Sequence, residues 1–209
     1  MNNLLFPVVL SAILLPSWAQ PPAKLFFRED WKEIEAALPV TQAHVATPDL
    51  VLSLYGPARD AIKKSNHPHI PNDPYYIWSG ECKANWAVGL RHRDRWVDLT
   101  GGDAKIRIGC KQSGFRQLRI ILKLSTGDWL VSDEYAGYTE DWSEKEFKVS
   151  DIRWRKLNIE SVTEGTWAED PDLARVAEIG FTDLMAGGGT PASSRLDWIE
   201  VYGHQIGRK

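Results

Sequence analysis

Ser194-Arg195-Leu196-Asp197-Trp198-Ile199-Glu200-Val201-Tyr202-Gly203, near the C-terminus, is the stretch whose reading decides the fold. It reads as the closing strand of a β-sandwich. Working back from it, strand-like runs recur at 178–182, 157–162, 146–149, 129–133, 118–124, 104–110, 96–99, 86–91 and 75–78. Turn-forming segments separate them, among them Thr100-Gly101-Gly102-Asp103, Ser125-Thr126-Gly127-Asp128 and Ala186-Gly187-Gly188-Gly189. Further upstream, Leu50, Leu52 and Leu54 alternate with Val51, Ser53 and Tyr55, the period of two that marks a strand. An apolar run at 25–32 reads as the first strand, and only 31–37 and 171–176 look helical. The spacing predicts an all-β chain folded as an antiparallel β-sandwich.

The first residues address compartment. An apolar run from Leu4 to Leu15 is followed by Pro16 and by small residues at Ser17 and Ala19, the pattern of a signal peptide cleaved after Ala19. The run is short for a membrane span of roughly 20 residues. Residues 1–19 are therefore expected to be removed, leaving 20–209 as one domain, secreted or periplasmic, with no membrane attachment after cleavage. The net charge is -3, and there is no overall basic field to attract phosphate backbones, so nucleic acid is not an expected partner. Cys82 and Cys110 are the only cysteines, and an even pair in an exported chain predicts a disulfide. Closing a loop of that span would contribute roughly 3 to 4 kcal/mol. Residues 59–74 carry Pro68, Pro71 and Pro74 and read as a long surface loop.

From Trp96 to Tyr202 the order of features resembles the galactose-binding-like jelly rolls, the fold of several carbohydrate-binding modules and of the complex I intermediate-associated assembly proteins. The resemblance is carried by Ala104-Lys105-Ile106-Arg107-Ile108, by Leu118 to Leu124 with the turn Ser125-Thr126-Gly127-Asp128-Trp129, by Trp142 with Glu146 to Ile152, by Ala177 to Phe181, and by the ending Leu196 to Tyr202. It covers roughly half of the chain after the leader, and the region before Tyr75 has no counterpart. The whole chain also resembles a group of secreted bacterial proteins. The resemblance implies a jelly roll, and it implies fold better than activity. It also implies a structural calcium joining an early loop to the last strand, for which Glu29, Asp30, Asp197 and Glu200 are hard oxygen donors in the corresponding places.

Candidate ligand contacts follow from residue chemistry. Lys105 and Arg107 share one face of their strand with Lys111, and Arg119 shares a face with Lys123 on the next. If those strands are neighbours, they form a basic strip able to hold carboxylates or hydroxyls of a glycan. Ten tryptophans offer flat faces for sugar rings. Trp78, Trp96, Trp129 and Trp167, at strand ends or in loops, are the expected platforms, with Asp133 as a polar neighbour, while Trp86, Trp154 and Trp198 are expected in the core. Asp133, Glu134, Asp183 and Asp197 could supply a carboxylate pair for glycan cleavage, but no spacing fixes such a pair. There is no Gly-x-Ser-x-Gly elbow, His-Glu-x-x-His helix or phosphate-binding glycine loop. His67-Pro68-His69 is a weaker candidate for a metal, since alternate residues of an extended loop point apart. The sequence favours a carbohydrate binder without catalysis over a glycan-cleaving hydrolase or lyase and over an envelope structural or assembly protein.

Overall fold

The computed structural model describes residues 21–185 and 190–208. The predicted leader and the triple-glycine turn at 187–189 lie outside the described residues. Fourteen strands are defined, with no α-helix among the described residues: β1 (Lys24–Glu29), β2 (Leu50–Tyr55), β3 (Lys63–Ser65), β4 (Tyr76–Trp78), β5 (Trp86–His92), β6 (Arg95–Asp98), β7 (Lys105–Gln112), β8 (Leu118–Leu124), β9 (Trp129–Ala136), β10 (Ser143–Lys148), β11 (Trp154–Asn158), β12 (Thr163–Trp167), β13 (Val176–Asp183) and β14 (Ser194–Gly207). All pairings are antiparallel.

Sheet I runs β10-β7-β14, and the far edge of β14 is shared by β1 and β4, with β3 outside β4. Sheet II runs β2-β5-β13-β8-β9-β11-β12. The 14-residue β14 belongs to both: Ser194 to Tyr202 pairs with β7, and His204 to Gly207 pairs with β6 in sheet II. At the crossing sits Gly203, where a β-carbon would stand 2.7 Å from the Asp98 carbonyl oxygen and 2.9 Å from Leu99. Only a residue without a side chain lets the strand turn there.

Alternation puts one face of each sheet into a shared core. Ile106, Ile108, Phe147, Ile199 and Val201 of sheet I meet Val88, Leu90, Leu118, Ile120, Leu122, Ile179 and Phe181 of sheet II. Each such side chain contributes about 1.5–3 kcal/mol on full burial. A second, smaller cluster lies on the opposite face of β8 and β9, where Ile121, Trp129 and Val131 pack with Leu157 and Val162. The turn between β11 and β12, with Val162 at a φ of 52°, supplies that cover.

Four local expectations are corrected. Residues 31–37 are irregular, because Trp31 takes a φ of 57° and Ala37 bridges to Lys64. Residues 171–176 form a turn in which the Asp172 carboxylate accepts the Ala174 amide at 2.9 Å, the Leu173 carbonyl accepts from Leu99, and Val176 already begins β13. The segment read as one strand over 157–162 is the end of β11 and a turn leading into β12. Within 59–74, Lys63 to Ser65 form a strand with Lys64 and Ser65 buried, so only the part from His67 onward is a surface loop.

The predicted disulfide is absent: Cys82 and Cys110 are separate, buried free thiols. Cys82 sits in the turn after β4 with φ 49°, beside the Asp183 and Arg116 side chains, and Cys110 lies within β7 opposite Leu196. Both act as small core side chains. Burial pushes the Cys110 thiol up to about 11, which keeps it protonated and unreactive.

Candidate functional site

The predicted basic strip does not exist, because β7 and β8 lie in different sheets. Lys105 and Arg107 face outward from sheet I, where the edge strand β10 answers them: Lys105 pairs with Glu146 at 2.9 Å and Arg107 with Glu144 at 2.6 Å. Arg107 also reaches Glu200 at 3.0 Å. Arg119 and Lys123 face outward from sheet II. Arg119 donates to the Ser132 carbonyl and pairs with Glu164 at 2.8 Å, and the Lys123 ammonium lies 5.5 Å from the Trp129 ring centre.

The four expected calcium ligands do not gather, and no group of three or more His, Cys, Asp or Glu side chains suited to a metal ion occurs among the described residues. The buried Glu29 carboxylate accepts the backbone amides of Trp31, Ala46 and Thr47, which ties β1 to the following loop. Glu200 is held by Arg28 and Arg107, and Asp30 by Arg28. Asp197 makes no ion pair or side-chain hydrogen bond among the described residues; burial, with Asp30 adding repulsion, pushes it up to about 6. These residues do not fit a calcium ion. Three of the four candidate catalytic carboxylates are engaged separately: Asp133 accepts the Arg153 amide, Glu134 pairs with Lys145, and Asp183 accepts from Ser194 in the interior. His67 holds Asp73 at 2.7 Å and packs on Tyr76.

The tryptophans divide differently from expectation. Trp86 and Trp154 are core, as predicted. Trp198 is not; it lies half-buried on the outer face of sheet I with the Arg28 guanidinium 4.6 Å and that of Arg107 5.6 Å from its ring centre. Trp78 is half-buried between Lys63 and Arg195, and Trp96 is half-buried with Arg208 over its ring. Trp129 is almost covered, edge-on to Tyr55, and Trp167 is 40% exposed.

Trp129 and Trp167 come together in a groove of about 950 Å³ at the end of sheet II. One wall is the β8–β9 turn with Thr126 and Asp128; the floor is β11 with Lys156 and Asn158; the other wall is Trp167 and the segment that follows, with Glu169 and Asp172. The walls are fixed by backbone bonds, from Leu124 N–H to the Asp128 carbonyl at 2.8 Å and from Ala168 N–H to the Trp154 carbonyl at 2.9 Å. Trp167 has a second side, an open recess of about 220 Å³ lined by Arg119, Asp133, Tyr135, Arg155 and Glu164. Of the nine expected ligand residues, the structure brings Arg119, Trp129, Asp133 and Trp167 to these two hollows, with Lys123 at their margin. Trp78, Trp96, Lys105 and Arg107 lie elsewhere.

No protein family matches the chain, and no curated protein does. Among solved structures, the chain is similar to the family 11 carbohydrate-binding module from Clostridium thermocellum in complex with a β-1,3-1,4-mixed-linked tetrasaccharide, at 14% identity and TM-score 0.44, covering 82% of this chain and 98% of that one. It is similar to the family 11 module of the cellulosomal cellulase Lic26A-Cel5E of the same organism, at 14% identity and TM-score 0.39, covering 87% and 95%. It is also similar to an agarase, at 8% identity and TM-score 0.42, covering 84% of this chain and 25% of that one. At these scores and identities nothing about a ligand passes from those proteins to this chain.

β12 has no apolar alternation in the sequence, so Trp167 is legible only as a lone aromatic and the wall that continues through Glu169 and Asp172 is not. Asn158, Lys156 and Asp172 carry no signal in the sequence beyond being polar.

Proposed function

We propose that the protein is a carbohydrate-binding domain without catalytic activity, holding a poly- or oligosaccharide in the groove at the end of sheet II and acting outside the cytoplasm. The observation that carries this reading is the exposed Trp167 ring on the rim of a groove lined about equally by polar and apolar side chains. A sugar ring presents apolar C–H edges that seat against an aromatic face, while its hydroxyls need donors and acceptors at the same depth. Thr126, Asp128, Asn158, Glu169 and Asp172 supply acceptors and donors around Trp129 and Trp167. The apolar run from Leu4 to Leu15 ahead of Ala19 supports export.

Native affinity electrophoresis against a panel of soluble polysaccharides tests the reading. At least one polymer is expected to retard the protein, Trp167→Ala is expected to abolish the retardation with the circular dichroism spectrum unchanged, and incubation is expected to release no new reducing ends. Migration unaffected by every polymer would overturn it.

A further inference from the structure

Resting on that carbohydrate reading, we infer that the glycan carries an anionic group, a carboxylate or a sulfate ester, and that this group is read by Arg153 and Arg155 on the far side of Trp167. The two guanidinium carbons stand 4.1 Å and 4.5 Å from the centre of the Trp167 ring. A guanidinium laid on an indole keeps its N–H groups pointing outward in its own plane, the geometry that engages a carboxylate or sulfate through two parallel hydrogen bonds. The stacking also limits side-chain freedom, so less is lost when the anion arrives.

The donors are available. Among the described residues the exposed Arg153 guanidinium makes no ion pair and no hydrogen bond. Arg155 commits only its Nε, to the Gly165 carbonyl at 3.0 Å and within 3.5 Å of Glu164. Glu164 is already taken by Arg119 at 2.8 Å, and Asp133 accepts the Arg153 backbone amide at 2.9 Å. Around the open recess Arg119 and Arg155 face the carboxylates of Asp133 and Glu164, and the Arg153 guanidinium on the same Trp167 ring adds a cation with no ion pair among the described residues. The placement is enforced by the backbone. Arg155 is the direct cross-strand partner of Trp167, and Arg153 is clasped to Asp133 by two bonds, the second from Asp133 N–H to the Arg153 carbonyl at 3.0 Å.

Charge is sorted across the ring. On the groove side Trp167 neighbours Asp128, Glu169 and Asp172 with Lys156 as the cation, a setting that repels an anion and suits hydroxyls. The anionic group of the glycan therefore has one favourable side, which sets the direction in which the chain lies.

The test uses purified protein with hyaluronate as the carboxylate polymer, dextran sulfate as the sulfate polymer, and dextran and barley β-glucan as neutral ones. At least one anionic polymer is expected to bind about tenfold or more tighter than either neutral one, and which of the two it is names the group. Arg153→Gln, which keeps the backbone clasp, is expected to lower that affinity about tenfold, Arg153→Lys to restore part of it, and raised salt to weaken it. Arg107→Gln on sheet I is the control and is expected to change nothing. Neutral polymers bound as tightly as the anionic ones, or Arg153→Gln without effect, would overturn the charge assignment and leave the carbohydrate reading standing. Binding to no polymer at all would overturn both.

Discussion

The indole of Trp198 lies across Gly109 on the neighbouring strand, with its ring carbon Cε2 only 2.7 Å from where a β-carbon on Gly109 would stand. The contact follows from a bulge. Leu196 faces Cys110 in the core, Asp197 is the extra residue, and Trp198 then pairs with Gly109 on the outer face. Gly109→Ala is therefore expected to lift the indole from its seat between Arg28 and Arg107. The expected cost is about 1–2 kcal/mol, read as a lowered urea midpoint with unchanged slope and a red-shifted tryptophan emission. An unchanged midpoint would show that the ring is not held there.

The same bulge shows where sequence reading stops. Ile199 and Val201 inside, with Trp198, Glu200 and Tyr202 outside, follow a period of two, but Leu196 is also inside, so an unbroken alternation from that end places Trp198 in the core. Strand identity was legible for β7, β8 and most of β14, because their apolar residues recur at every second position. Sheet membership was not. β7 and β8 follow each other in the chain and both alternate, yet the connection through the buried Arg116 carries the chain from one sheet to the other, and alternation looks the same either way. The basic strip failed for that reason, and the carboxylates of β10 that neutralise Lys105 and Arg107 could be placed only once the register was known. Trp167 was legible as an exposed platform, but the hollows on either side of it depend on three strands and two turns meeting.

Cys82 and Cys110 are both buried thiols, with burial raising each above the ordinary range. Ellman's reagent is expected to label neither in the native protein and both after unfolding in guanidinium, without a reductant. Reduction is expected to leave the melting temperature unchanged. A requirement for reductant before labelling would restore the disulfide.

Asp197 titrates at about 6 in the fold, raised first by burial and then by Asp30, with Asp73 adding repulsion and Arg28 opposing it. Its folded pKa lies above its ordinary value of 3.8, so the native state holds more protons between about 3.8 and 6. Its contribution to stability is lost as pH rises through that window, and the penalty is complete above it. Asp197→Asn is expected to raise stability by about 1–2 kcal/mol at pH 7 and to leave it unchanged near pH 3.5. Equal effects at both values would place the gain in packing instead of charge.

Lys64 gives the opposite pH signature on the edge strand β3 of the same sheet. Its side chain is 1% exposed on β3, with the ammonium 4.8 Å from the Tyr75 ring centre and donating to the Ser65 carbonyl at 3.2 Å. No carboxylate lies within ion-pair distance among the described residues, and burial lowers the amine to about 8 from 10.5. At neutral pH the folded protein carries a buried, unpaired cation. Between about 8 and 10.5 the unfolded chain binds more protons than the native one, so stability rises with pH across that interval. Lys64→Met keeps the length of the stem and removes the charge, so it is expected to stabilise the protein by on the order of 1–3 kcal/mol at pH 7. The gain is expected to shrink toward zero by pH 10.5, where the native amine is already neutral. Urea midpoints of both proteins at pH 7, 9 and 10.5 check this, and a gain that stays constant across the three would mean that Lys64 is not a buried cation.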